Sequence, residues 1–139
     1  MGRLAILVLS LLVLTAGSAR AGDPARDTIL AKLTEEAKAA DPAFAGFSAE
    51  RGQAFFLAKQ SGGSAESPSC SSCHTTDPKA AGKTRAGKVI EPMAVSVNPA
   101  RYTDAEKVAK WFDRNCNTVL GRACAAQEKG DFLTFMIGQ

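Results

Sequence analysis

Histidine is nearly absent from this chain: 139 residues contain one, His74. With no second imidazole, a pair of histidine ligands on one metal is excluded, and any role that occupies His74 leaves no histidine free as a general acid or base. Aromatic residues make up only 6%. Lysine and arginine form no dense patch interleaved with them, which argues against a nucleic-acid interface. There are no internal repeats, no low-complexity segments and little strand signal, so one helical domain is the natural reading. The apolar run Leu4 to Leu14 is broken by Ser10 and is too short to span a bilayer comfortably.

That run has another use. Arg3 supplies a positive n-region, Leu4 to Leu14 an apolar h-region, and Ala19-Arg20-Ala21 an A-x-A cleavage site, together a secretory signal over residues 1–21. An uncleaved anchor is the alternative; the small residues directly after the apolar run favour cleavage after Ala21. The mature chain, 22–139, then lies in the periplasm and is not an integral membrane protein. Cleavage removes Arg3 and Arg20 and no acids, so 17 basic residues become 15 against 14 acidic ones, a formal charge of +1.

What is present centres on Cys70-Ser71-Ser72-Cys73-His74, which reads C-x-x-C-H. This is the pattern for covalent c-type haem attachment: two thiols add across the porphyrin vinyl groups, and the adjacent imidazole reaches the iron. A zinc site would need four N/S ligands, and the eight-residue separation of Cys116 and Cys124 is not a usual ligand spacing. A thioredoxin-like pair would want a βαβ context that the pattern lacks. One haem c is therefore expected on Cys70, Cys73 and His74. Cys116 and Cys124 remain as an even pair in an oxidising compartment and are expected to form a disulfide, with two free thiols as the alternative. So short a loop contributes roughly 2 to 3 kcal/mol in the chain-entropy model.

Helical spacing accounts for most of the rest. Ile29, Leu30, Leu33 and Ala37 predict a helix over 28–40, closed by Asp41-Pro42. Ser48 reads as the N-cap of a second helix, 49–60, with Gly52, Phe55 and Phe56, ending before Gly62-Gly63. Residues 77–99, rich in Gly, Pro and Lys, read as loop. Thr103 to Glu106 fits a T-x-x-E capping box opening a helix striped by Val108, Trp111 and Phe112. Asn115 continues that stripe, so its amide is expected on the buried face, where an unpaired polar group would cost roughly 1 to 3 kcal/mol. A final helix, about 125–137, should turn Phe132, Phe135 and Met136 inward.

Gly52 and Phe56 on one helix and Phe135 on the other resemble the helix crossing of class I cytochromes c. That resemblance implies an all-α class I cytochrome c fold, with crossed N- and C-terminal helices around one covalently bound haem and residues 22–47 as an extension carrying one helix. The last third is more specific. Pro99-Ala100-Arg101-Tyr102-Thr103-Asp104, Lys110 to Asn117, Gly121 to Cys124 and Glu128 to Asp131 resemble the oxygen-binding sphaeroides heme protein family, over roughly residues 48–137. The resemblance implies that Asn115, immediately before disulfide Cys116, is the distal iron ligand. In the related cytochrome c double-prime a histidine stands there. An amide oxygen is a hard, weak ligand that can hold ferric iron and yield on reduction. The plainer reading of Asn115 is a buried amide bonded to backbone.

Met93 is the rival ligand, because a methionine thioether would make a fixed six-coordinate electron carrier. The resemblance leaves it packing against the haem. Trp111 is expected against the porphyrin or beneath the Asn115 helix. Lys83, Arg85 and Lys88 read as partners of the haem propionates, as a docking face for an acidic partner, or as a solvated loop. Arg114 and Arg122 flank the disulfide turn. Three functions follow: a cytochrome that accepts electrons and binds O2 or NO at ferrous iron, a simple His/Met electron shuttle, and a haem enzyme acting on O2, NO or small nitrogen compounds. Electron transfer with gas binding fits better than a dedicated enzyme, since no catalytic acid or base stands out. The resemblance further implies a dihaem cytochrome c and a membrane cytochrome b as redox partners.

Overall fold

Residues 22–139 are described by the computed structural model; the expected leader, 1–21, and its cleavage site lie outside them. Helix α1 (Pro24–Ala40) starts earlier than its apolar period suggests, because Asp23 caps it. The Asp23 carboxylate accepts from the backbone N–H groups of Ala25 at 2.9 Å and Arg26 at 3.4 Å, and Pro24 follows at the position where a missing N–H costs nothing. Its buried face carries Arg26, Ile29, Leu33 and Ala37.

Helix α2 (Ala49–Leu57) is capped as expected, with the Arg51 N–H donating to Ser48 Oγ at 3.2 Å. It stops three residues short of the expected end. Ala58 turns to extended backbone, and the Gln60 N–H donates to the Pro68 carbonyl at 2.7 Å instead of continuing the helix. A single turn, α3 (Ser71–His74), carries the C-x-x-C-H residues. Within the stretch read as loop, β1 (Gly82–Lys83) and β2 (Val89–Ile90) form a small antiparallel pair, Gly82 opposite Ile90 and Lys83 opposite Val89.

Helix α4 (Ala105–Leu120) corrects the expected capping box. Asp104, not Thr103, is the cap: its carboxylate accepts from the Lys107 N–H at 3.0 Å, while the Thr103 hydroxyl donates back to the Ala100 carbonyl at 2.9 Å. Two adjacent cap-competent residues compete here, and the charged one is the better acceptor next to the helix dipole. Gly121, at φ +70°, ends α4 in the left-handed conformation. Helix α5 (Ala126–Ile137) closes the chain.

The α2–α5 crossing forms the centre of the fold. Phe56, Leu133 and Met136 are fully enclosed there, and the Phe56 ring lies 6.1 Å from those of both Phe132 and Phe135. Gly52 makes the approach feasible: a Cβ there would sit against the Asp131 carbonyl, 2.5 Å from its carbon, and 2.9 Å from Phe135 Cβ. Asp131 is itself buried, and its carboxylate accepts from the Ser48 N–H at 2.7 Å and from two Arg51 nitrogens at 2.8 Å. A carboxyl group so enclosed is tolerable because its oxygens are met by donors on α2 and its cap. Helix α1 packs along α5 from outside. A second joint is made without side chains: Ser64 N–H donates to the Thr118 carbonyl at 2.8 Å, and a Cβ on Gly63 would come within 2.5 Å of the Val119 carbonyl carbon. It ties the loop before α3 to the C-terminal end of α4. Among the described residues no helix is long and apolar enough to cross a membrane.

Candidate haem centre

Helix α3 closes through backbone bonds from Cys73 N–H at 3.3 Å and His74 N–H at 3.2 Å, both to the Cys70 carbonyl, so both cysteines and the histidine belong to one turn. Ser69, Ser71 and Ser72 tie the entrance of this turn together through hydroxyl contacts of 2.9 Å. Thr75 ends it at φ +62°, its hydroxyl donating to the Asp77 carbonyl at 2.8 Å. The hairpin packs from outside, with a Cβ on Gly82 reaching within 2.9 Å of His74 Cα.

The chemistry of the set fits a haem c. Among the described residues Cys70 and Cys73 are the two free cysteines, while Cys116 and Cys124 are joined as a disulfide with Cα atoms 5.6 Å apart. Burial pushes the Cys70 thiol up to about 11, so it is an uncharged thiol at neutral pH. Burial first, and then the positive charge of Arg101, push the His74 imidazole down to about 4. It is therefore neutral at physiological pH, as a metal-ligating imidazole must be. Its Nδ1 is enclosed and meets no hydrogen-bond partner within the protein.

The candidates on α4 lie differently from expectation. The buried face of the helix is Cys116, Val119 and Leu120. Asn115 is exposed, which corrects its expected burial, and Trp111 is 49% exposed rather than packed beneath the helix. The reason is phase: the seam runs through Phe112, Cys116 and Val119, and positions 111 and 115 fall to one side of it. Trp111 carries the Arg114 guanidinium over its ring at 5.6 Å. Asn117 folds back on its own helix, donating to the Asp113 carbonyl at 2.8 Å, whereas the Asn115 amide makes no hydrogen bond among the described residues. Arg122 forms a two-pronged pair with Glu128 at 2.7 and 2.8 Å.

Met93 is brought into the core with Cys70, Phe132 and Met136. Its N–H donates to the Pro78 carbonyl at 2.8 Å, its carbonyl accepts from the Tyr102 hydroxyl at 3.0 Å, and the same hydroxyl lies 4.0 Å from its sulfur. Lys83 and Lys88 are exposed, and Arg85 pairs with Glu66. The sequence assigns no role to Arg26, nor to Arg101 and Tyr102 beyond the resemblance: Arg101 and Tyr102 reach the carbonyls of Glu91, Pro92 and Met93, and Arg26 reaches those of Pro99 and Arg101. Arg26 had a signal, since it precedes Ile29 by three and Leu33 by seven, on the buried stripe of α1.

A C-x-x-C-H turn with an uncharged imidazole, set against crossed helices whose contact depends on Gly52, defines a monohaem c-type cytochrome of class I. Residues 42–136 match a family model described as a domain of unknown function (DUF1924); α1 precedes that match. The cytochrome c-type protein SHP of Cereibacter sphaeroides is 47% identical over 124 residues, covering 89% of this chain and 92% of that protein. Cytochrome c'' of Methylophilus methylotrophus is 36% identical over 112 residues, covering 80% of this chain and 78% of that protein. The structure of oxidised SHP, an oxygen-binding cytochrome c, superposes with a TM-score of 0.77 at 43% identity, over 85% of this chain and all of that one. Oxidised cytochrome c'' superposes with a TM-score of 0.72 at 35% identity, over 81% and 93% of the two chains. The chain belongs to the sphaeroides heme protein family of c-type cytochromes.

Proposed function

We propose that this protein is an exported, periplasmic cytochrome that accepts electrons, releases Asn115 as distal ligand on reduction, and binds O2 or NO. Cys70 and Cys73 hold the haem c covalently and His74 is the proximal ligand; the haem supplies the redox couple and the ferrous site for the gas. The reading is carried by one observation: Asn115 presents a free, exposed amide on the residue before the Cys116–Cys124 bridge. Met93, the rival, is enclosed in the core with both its backbone groups engaged. Asn115 meets the requirement for a reversible ligand, since a neutral amide oxygen is a weak donor to iron and needs no proton to leave. The disulfide fixes the turn that follows. Likeness to an oxygen-binding cytochrome c supports the choice of gas. The mature chain begins at Gly22, and a dihaem cytochrome c with a membrane cytochrome b serves as electron source.

Optical spectra of the haem-loaded protein test this, taken oxidised and then reduced without oxygen, before and after adding O2 or NO. A high-spin ferrous spectrum that changes at once with gas is expected. Sharp low-spin ferrous bands indifferent to gas, with a methionine-to-iron band in the ferric form, would instead assign Met93 and simple electron transfer. Asn115→Ala should keep its haem and become five-coordinate or water-ligated in the ferric state; an unchanged ferric spectrum removes Asn115 from the iron.

A further inference from the structure

A side chain that holds a metal is usually held in turn. The ring nitrogen of an iron-bound imidazole that faces away from the metal ordinarily donates to a carboxylate or a carbonyl, which fixes the plane of the ring. His74 has no such tie within the protein, since its Nδ1 is enclosed and meets no partner. The residue directly after it is strained instead. Thr75 lies at φ 62° and ψ 173°, a region that glycine enters freely and a β-branched residue does not. Such a conformation persists only where the surroundings over-determine it. Here the Thr75 hydroxyl donates to the Asp77 carbonyl at 2.8 Å and accepts from the Asp77 N–H at 3.3 Å. Asp77 is itself engaged, its carboxylate accepting from the Lys79 N–H at 2.9 Å and its carbonyl from the Ala80 N–H at 3.0 Å.

The backbone of His74 is gripped from two further sides. Its N–H donates to the Cys70 carbonyl at 3.2 Å, and Gly82 of β1 bears on it from behind, where a Cβ would overlap the Cys73 carbonyl oxygen and lie 2.9 Å from His74 Cα. We infer that Thr75 is a positioning residue for the haem centre: its strained backbone, pinned through its hydroxyl to Asp77, fixes the plane in which the His74 imidazole meets the iron. With no hydrogen bond to orient the ring, that task falls to the main chain on either side of it. A ring held this way presents the same donor orbital before and after electron uptake, so the proximal side need not rearrange when the opposite face exchanges its ligand. The strain at Thr75 is thus spent on rigidity at the one histidine of the chain.

The inference rests on His74 as proximal ligand, which the ferric spectrum of His74→Ala tests separately; it does not depend on Asn115 or on gas binding. The experiment records urea stability and the ferric electron paramagnetic resonance spectrum, whose g values report the orientation of an axial imidazole. The proteins are haem-loaded wild type, Thr75→Gly, Thr75→Ser and Thr75→Ala. Thr75→Gly relieves the strain and frees the turn, so its folding equilibrium constant should rise by on the order of fivefold while its g values shift and their lines broaden. Thr75→Ser keeps both ties to Asp77 and should retain the wild-type g values. Thr75→Ala keeps a Cβ but loses the ties, and should shift them as glycine does. A glycine variant that gains stability with wild-type g values would leave Thr75 a strained bystander and overturn the inference. A glycine variant less stable than wild type would overturn it as well, by showing that no strain is held there. If Thr75→Gly does not retain haem, the serine and alanine variants carry the test, and wild-type g values in Thr75→Ala would overturn the inference.

Discussion

Replacing Gly52 by alanine adds a single methyl group, and its effect can be estimated from the geometry of the crossing. Mid-helix, alanine is favoured over glycine by about 1 kcal/mol, so in an isolated helix the substitution stabilises. Here the new Cβ would come within 2.5 Å of the Asp131 carbonyl carbon and 2.9 Å of Phe135 Cβ, against an ordinary contact of 3.4 Å or more. The obstacle is backbone, which no side-chain rotation relieves, so α2 and α5 must part by about 1 Å. Parting them loosens Phe56 against Phe132 and Phe135 and lengthens the bonds from Arg51 and Ser48 to Asp131. Overpacking of this kind costs about 1 to 3 kcal/mol, and the lost contacts in a fully enclosed cluster push it to the upper end. The expected net loss after the propensity gain is about 1 to 2 kcal/mol. Urea unfolding of the haem-loaded protein, followed by far-UV circular dichroism, measures it. A variant as stable as wild type, or more so, refutes the claim that backbone contact at Gly52 sets the helix spacing.

Other outcomes follow from the disulfide turn after α4. Replacing Cys116 and Cys124 by serine opens a bridge between residues eight apart and should cost about 2.5 kcal/mol by loop entropy, read as a lower urea midpoint, with a shift in the ferric spin equilibrium if Asn115 is a ligand. An unchanged ferric spectrum would make the bridge purely structural. Arg122 beside Glu128 holds that carboxyl below the usual carboxylate range, helped by the Ala125 N–H. A depressed folded-state pKa stabilises above the unfolded value and is lost as pH falls through the folded one. Acid titration of stability should therefore show this contribution disappearing below the ordinary carboxylate range, and Arg122→Gln should flatten that segment. At neutral pH the variant should lose about 1 kcal/mol or less, because the Arg122 side of the pair is exposed and screened by water although Glu128 is partly covered.

Much of the centre could be read from local pattern. The C-x-x-C-H spacing, the leftover cysteine pair and the Gly52, Phe56 and Phe135 contact all correspond to features of the structure. These are short-range signals, or pairs with few alternatives. Asp104 displaced Thr103 as cap because neighbouring residues compete for one position and spacing alone does not rank them. Helical period put Asn115 on the buried stripe of α4, but the seam runs one position further on, through Phe112, Cys116 and Val119, and spacing alone did not fix that phase. The carbonyl contacts of Arg26 and Arg101 span 73 to 75 and 9 to 10 residues, and their acceptors are backbone oxygens, which every residue carries. No residue type advertises such a partner.

The side-chain-free joint between the loop before α3 and the end of α4 has a mechanical consequence. Where two elements meet through side chains, rotamers absorb small displacements. At Gly62, Gly63 and Gly121 there is nothing to rotate: a Cβ on Gly121 would lie 2.8 Å from the Gly62 carbonyl carbon, so one main chain bears directly on the other. A displacement of a few tenths of an ångström in the loop at Gly62 and Gly63 therefore bears directly on the C-terminal end of α4, as through a rigid link rather than a spring.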